Sequence, residues 1–303
     1  MAMRLLGTTV ALLFLGHCGF LKAAIISCRN EEGRAVDWFI FYKLPKTQDK
    51  EDRKTGLEYL YLDSTTKSWR RSKQLMNTTM SVLGRTLQQL YEAYASESNH
   101  TAYLIYNDGI PKSMNYSRKY GHSKASQLLI YNPNIYSCSI PAAFLQEFIH
   151  MSQLCKTSSS SEIPVQHLAT LQSAQGHNFL HFAKSDSFLD DIFAGWMAQH
   201  LKTHLLTETW QRKRQELPSN CSLPYHVYNI KAIKISQQSY FSSYQDHAKW
   251  CVSQKSTRKH WTCIGDLNRS PHQALRSGGF ICTQNQHIYK AFQGLVLYHE
   301  NCN

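Results

Sequence analysis

Two histidine–lysine pairs, His122/Lys124 in "YGHSKA" and His247/Lys249 in "DHAKWC", set an imidazole and an ammonium two residues apart. A third, His200/Lys202, has the same spacing. On an extended backbone, positions i and i+2 project from one face, so the two groups can address one phosphate together. On a helix they lie about 200° apart and cannot. The apolar periodicity around His200 and Lys202 predicts a helix, which sets that pair aside. The other two follow loops and lead into apolar stretches, as a strand-borne site would. Two such pairs suffice for metal-free phosphodiester cleavage. One imidazole attacks phosphorus and a second, protonated, donates to the leaving oxygen. The lysines neutralise the charge gathering on the phosphoryl oxygens.

Other chemistries have less behind them. His177/His181 and His200/His204 are each spaced by four, but neither pair has the glutamate of H-E-x-x-H or a clear third ligand. There is no C-x-x-C, G-x-S-x-G, P-loop or G-x-G-x-x-G. No metal and no cofactor is implied. Trp38, Phe39, Phe41 and Tyr42 fit a strand core better than a base-stacking platform.

The surroundings suggest export. Residues 1–24 combine Arg4, an apolar run from about Leu5 to Leu15, and Ala23 and Ala24, the layout of a secretory signal peptide. That run is too short to span a membrane. Of the 9 cysteines, Cys18 leaves with the leader, and an even set remains for disulfides. Sequons at Asn77, Asn99, Asn115, Asn220 and Asn268 fit a lumenal glycoprotein. Formal net charge is +12, or +10 once Arg4 and Lys22 are lost, before any of 15 histidines is protonated. Acid adds to it, and polyanions such as nucleic acid are natural partners.

Elements that must carry the pairs read as a mixture. Strands are predicted over 35–44, 57–63, 101–108, 178–184 and 226–236. Helices are predicted over 81–95, 141–154, 186–205 (capped by Asp186 or Ser187) and 288–300. This is an α+β chain. A linker-like stretch at 156–164 divides it, giving one domain over 25–303 with halves of about 25–160 and 161–303.

Taken together, "AVDWFIFYKLP", "GLEYLYLDS", "AYLIYND", "YGHSK", "DDIFAGW", "LPSNCS", "DHAKWCV", "WTCIGDLNR" and "YKAFQGLV" closely resemble the deoxyribonuclease II family, in order and over nearly the whole mature chain. The resemblance implies a phospholipase D-like fold, two pseudo-symmetric α/β halves with mixed sheets around one central site. It also implies an acid, metal-independent endonuclease of lysosomes or secretions that leaves 3′-phosphate ends on DNA. His122, Lys124, His247 and Lys249 match the two catalytic motifs, and either histidine could be the nucleophile. Asn268 matches a phosphate-contacting position, which argues against a glycan there. By the same analogy Cys221 pairs with Cys302, and Cys263 with Cys282. A phospholipid diester is the other substrate known within the superfamily. The chain departs from the family directly after Lys124, where a block of strand, turn and strand ending in a histidine, a loop and a cysteine-bearing strand is missing. Residues 125–131 then stand in as a single strand, Cys28 lacks its partner, and the first half is truncated. An inactive form that binds DNA without cutting it is the alternative.

Overall fold

The computed structural model describes residues 26–47, 55–106, 135–146, 148–156, 164–210 and 215–302. The leader over 1–24, the pair His122/Lys124, the sequon at Asn115 and the strand over 125–131 lie outside the described residues.

Aromatic and β-branched runs open the chain as short strands. β1 (Cys28–Arg29) pairs antiparallel with β2 (Ala35–Val36). β3 (Phe39–Lys43), β4 (Tyr59–Asp63) and β5 (Arg70–Arg71) make a three-stranded antiparallel sheet in that order. α1 (Val82–Ala95) begins where Ser81 Oγ accepts the Gly84 N–H at 3.0 Å, which satisfies one of the amides a helix start leaves open. β6 (Tyr103–Tyr106) pairs with β7 (Ile135–Ser139). The helix expected over 141–154 is instead one 3₁₀ turn, Ala142–Phe144, followed by α2 (Ile149–Cys155). The break falls at Phe148, whose φ of −110° and ψ of 45° are not helical. The Cys138–Cys155 disulfide ties α2 back to β7.

The rest of the chain builds one nine-stranded sheet. Its members in chain order are β8 (Gln166–Gln172), β9 (Asn178–Lys184), β10 (Leu205–Glu208), β11 (Val227–Lys234), β12 (Tyr240–Ser242), β13 (Trp250–Ser253), β14 (Thr262–Gly265), β15 (Gly278–Thr283) and β16 (Val296–His299). The spatial order is β12–β11–β10–β13–β14–β15–β9–β8, with β16 also on β11. Among the described residues of this sheet only β10 and β11 run parallel, and the other pairs are antiparallel. Cys263 of β14 is bonded to Cys282 of β15, and Cys221 to Cys302.

Two expected helices are corrected. Over 186–205, a 3₁₀ turn (Asp186–Phe188) stops at Leu189, whose φ of +58° breaks the helix. The chain restarts as a π turn (Ile192–Met197) running into α3 (Ala198–Leu201), and Leu205 already belongs to β10. The cap is Asp191, whose side chain accepts the Phe193 N–H at 3.1 Å, rather than Asp186 or Ser187. After α4 (Pro271–Ala274), α5 (Gln286–Gln293) stops before Gly294, and the residues that follow pair with β11 instead of extending the helix to 300. β8 was not anticipated; its mostly polar sequence suits the sheet edge it occupies.

The strand period of two sends alternate residues to opposite cores. Leu206, Ile230, Trp250 and Val252 join Tyr42, Leu60 and Leu62 of the three-stranded sheet, with Ile288 and Phe292 of α5. Their neighbours Leu205, Val227, Cys251 and Cys263 pack instead against the Ile192–Leu201 segment. The early strands therefore share a core with the face of the large sheet that lies under α5. A polar clamp adds to this: Asp37 accepts from Ser173 Oγ at 2.6 Å and Gln175 N at 2.9 Å, and meets His177 Nδ1 at 3.0 Å. Burial pulls the Asp37 carboxyl upward, but these hydrogen bonds together hold it below the usual 3.8. Among the described residues no helix is long and apolar enough to cross a membrane.

Candidate active site

His247 and Lys249 sit directly ahead of β13, in irregular backbone rather than in a strand. The reason is local. Asp246 Oδ1 accepts the Ala248 N–H at 3.0 Å, so that amide is not offered to a neighbouring strand. The ladder resumes at Lys249, whose carbonyl accepts Gly265 N–H at 3.0 Å. Gly265 is required there: a Cβ on it would lie 2.3 Å from the Gly279 carbonyl oxygen of β15. His247 is exposed and Lys249 half-buried. The Lys249 ammonium folds back to donate to the His247 carbonyl at 2.5 Å, so the two basic groups stay on one stretch of surface.

Asn268 reaches the same corner from the β14–α4 loop. Its Oδ1 accepts the main-chain N–H of Trp210 at 3.0 Å, and its own N–H donates to Gln273 Oε1 at 3.3 Å. Trp210, two residues past β10, lays its indole against the His247 ring with centroids 3.9 Å apart and 27° between planes. Thus His247, Lys249 and Asn268 are brought together. Arg269, beside Asn268, is buried and fully engaged: Nε and Nη2 each meet Asp191 Oδ2 at 2.9 Å, and Nη1 donates to Asn229 Oδ1 at 2.6 Å. It anchors the Asn268 loop rather than serving a substrate.

Behind the loop lies a buried acidic pair that sequence reasoning missed. Asp246 accepts the phenol proton of Tyr42, and that phenol oxygen accepts Trp250 Nε1–H at 3.2 Å. Glu208, at the end of β10, accepts from Ser243 Oγ at 2.5 Å. Burial, then the Asp246 charge, pushes Glu208 well above the usual 4.5, with Lys249 pulling the other way. Burial raises Asp246 as well, against the hydrogen bond from Tyr42. Only "DHAKWCV" hinted at Asp246; nothing at Glu208 or Trp210 marks either residue out in a lone sequence.

The remaining candidates are scattered. His200 lies within α3 and packs on the Phe182 ring at 5.5 Å, while Lys202 takes φ +54° past the helix end, so that pair is not strand-borne. His204 Nδ1 accepts the His226 N–H at 2.8 Å, which ties up one of its ligand atoms. Among the described residues no three His, Cys, Asp or Glu side chains group as a metal site. Asn77 and Asn99 are exposed, flanking α1. Asn220 is half-buried, and its Oδ1 accepts from Ser222 N at 3.0 Å and Ser222 Oγ at 2.8 Å.

This chain belongs to the deoxyribonuclease II family: the family's sequence model, "Deoxyribonuclease II", matches residues 27–126 and 125–302. It is similar to deoxyribonuclease-2-beta of Homo sapiens, with 68% identity over 356 aligned positions that cover 100% of this chain and 99% of the relative. The Mus musculus deoxyribonuclease-2-beta is 53% identical, with 98% of each chain covered. The deoxyribonuclease-2-alpha of Mus musculus is 30% identical over 95% of this chain and 97% of its own length.

Proposed function

We propose that this protein is an endonuclease that hydrolyses double-stranded DNA to 3′-phosphate fragments at acid pH, without a metal ion, through a phosphohistidine. The observation that carries this reading is the gathering of His247, Lys249 and Asn268 at one corner, in a chain of the deoxyribonuclease II family. His122 and Lys124 supply the second pair. One imidazole nitrogen attacks phosphorus and the bond to the 5′ oxygen breaks, that oxygen taking a proton from the second imidazolium. The second imidazole, now neutral, then takes a proton from a water as that water attacks phosphorus. The phosphorus–nitrogen bond breaks and the 3′-phosphate leaves. Either His122 or His247 fills the attacking role. Lys124 and Lys249 neutralise the phosphoryl oxygens, and the Asn268 amide donates to one of them. The cycle needs one imidazole charged and one neutral, which suits mildly acid solution. The leader and sequons accord with a lysosomal or secreted enzyme. The architecture that goes with this reading is two phospholipase D-like halves, about 25–160 and 161–303.

A specific observation favours a second reading. The two stretches matched by the family model meet at residues 125–126, directly behind Lys124. The alignment to the human relative spans 356 positions against 303 residues, a difference of 53. Both support a block missing from the first half. Without its strands, His122 and Lys124 lose support, and the chain would bind DNA as a basic glycoprotein without cutting it.

Supercoiled plasmid incubated with EDTA at about pH 5 decides between them. Nicking that His247→Ala lowers by about 100-fold or more supports the enzyme. Gel retardation with no nicking assigns the second reading. Nicking that His247→Ala leaves intact overturns the site.

A further inference from the structure

We infer that Trp210 is a positioning residue for His247, holding its imidazole face-on while fixing the Asn268 amide with its own backbone. This rests on the roles given above to His247 and Asn268. The two rings lie 3.9 Å apart and 27° from parallel. The indole is itself held, because Nε1 donates to the Tyr244 carbonyl at 3.1 Å. Tyr244 is three residues ahead of His247, so the stacked ring and the carbonyl that steadies the indole ride on one loop. The main-chain N–H of Trp210 meanwhile occupies Asn268 Oδ1 at 3.0 Å. With that oxygen taken, Asn268 is turned to meet a phosphate as a donor through its NH₂.

An exposed imidazole on a loop ordinarily samples several rotamers. Contact with an aromatic face restricts it to one plane. In-line attack needs the reacting nitrogen about 3–3.5 Å from phosphorus and aligned with it, so that restriction bears on rate. The face of an indole also favours the imidazolium over the neutral ring. Trp210 thus acts through His247 in two ways, by angle and by charge. If it only filled space, leucine would serve as well.

The test compares the wild type with Trp210→Phe, which keeps a ring face, and Trp210→Leu, which keeps bulk alone. Protein labelled with ¹⁵N-histidine is titrated by NMR, and plasmid nicking is followed on the same samples. Trp210→Leu is expected to lower the His247 midpoint by about half a pH unit. It is also expected to lower kcat by about 10- to 100-fold with KM within about twofold. Trp210→Phe stays near wild type in both. A His247 midpoint unmoved by Trp210→Leu overturns the proposal, whatever happens to kcat, since a merely structural role would not shift it. If the wild type does not nick, or if His247→Ala nicks as well as wild type, the active-site reading fails, and the NMR midpoint still decides whether Trp210 governs His247.

Discussion

Tyr42, on β3, donates its phenol proton to Asp246, the residue directly ahead of His247 and 204 positions away in sequence. The Trp250 indole closes on the same phenol oxygen at 3.2 Å. The loop bearing His247 is therefore anchored from behind by the early sheet, inside the core the two sheets share. Tyr42→Phe deletes the donor to a carboxyl that is only 2% exposed and the acceptor of a buried indole. The expected cost is about 2 kcal/mol, read as a lower urea midpoint with unchanged slope. Hydrogen exchange should quicken at the Ala248 amide, which Asp246 holds at 3.0 Å. An unchanged midpoint would show that the anchor is carried elsewhere.

Glu208 gives a pH signature. Its side chain is buried, Oε2 meets Ser243, and Oε1 has no hydrogen-bond partner among the described residues. Burial, then Asp246, raises its folded pKa well above 4.5. The folded state therefore keeps a proton that the unfolded chain releases. The stability this lends is fully present below the unfolded value and is lost as pH rises through the folded one. Glu208→Gln stays neutral throughout. Urea titrations should give equal stability for the two proteins at about pH 4, with the variant gaining steadily on wild type as pH rises. Parallel curves would mean that the carboxyl ionises within the fold.

What was legible in the sequence was what neighbours decide locally. The alternation over 226–236 marks β11, and the apolar spacing behind Ser81 marks α1, because each signal lies within its own segment. The helix over 186–205 failed where one backbone choice cut the pattern, Leu189 at φ +58°, and that over 288–300 failed because the residues after Gly294 pair with β11. A His-x-Lys tripeptide supplies an imidazole and an ammonium but says nothing of what stands behind them. Tyr42, Glu208 and Trp210 reach the His247 loop only through tertiary contacts. Asp246, by taking the Ala248 amide, also explains why the pair lies just outside β13.

The cysteines test the missing-block reading. Cys28 and Cys251 are unpaired, the first half-exposed and the second fully buried. Burial, then the Asp37 charge, raises the Cys28 thiol above 9.0, so it reacts slowly at neutral pH. Iodoacetamide should label Cys28 alone in the native mature protein. In unreduced, denatured protein it should label Cys28 and Cys251 and no other cysteine, read by peptide mass spectrometry. Finding Cys28 in a disulfide would remove the expectation that its partner lay in the lost block.

On the role proposed for Asn268, a glycan and a phosphate contact exclude each other at that side chain. It opens an N-x-S sequon, yet it is half-buried, its Oδ1 is taken by Trp210, and the next residue, Arg269, is 3% exposed and locked to Asp191 and Asn229. A glycan would be carried on Nδ2, the nitrogen proposed to face a phosphate, and would block that approach. Asn268→Asp keeps an oxygen for the Trp210 N–H but replaces the NH₂ donor with a negative charge, which a phosphate bound as proposed would meet as repulsion. The expected loss in kcat/KM is about 100- to 1,000-fold, with a folding midpoint close to wild type. The substitution also removes the sequon, and because Asn268 is expected to carry no glycan, the protein's gel mobility should not change. A shift equal to one glycan would mean that Asn268 carries sugar in the wild type, and a glycosylated Asn268 cannot contact the scissile phosphate.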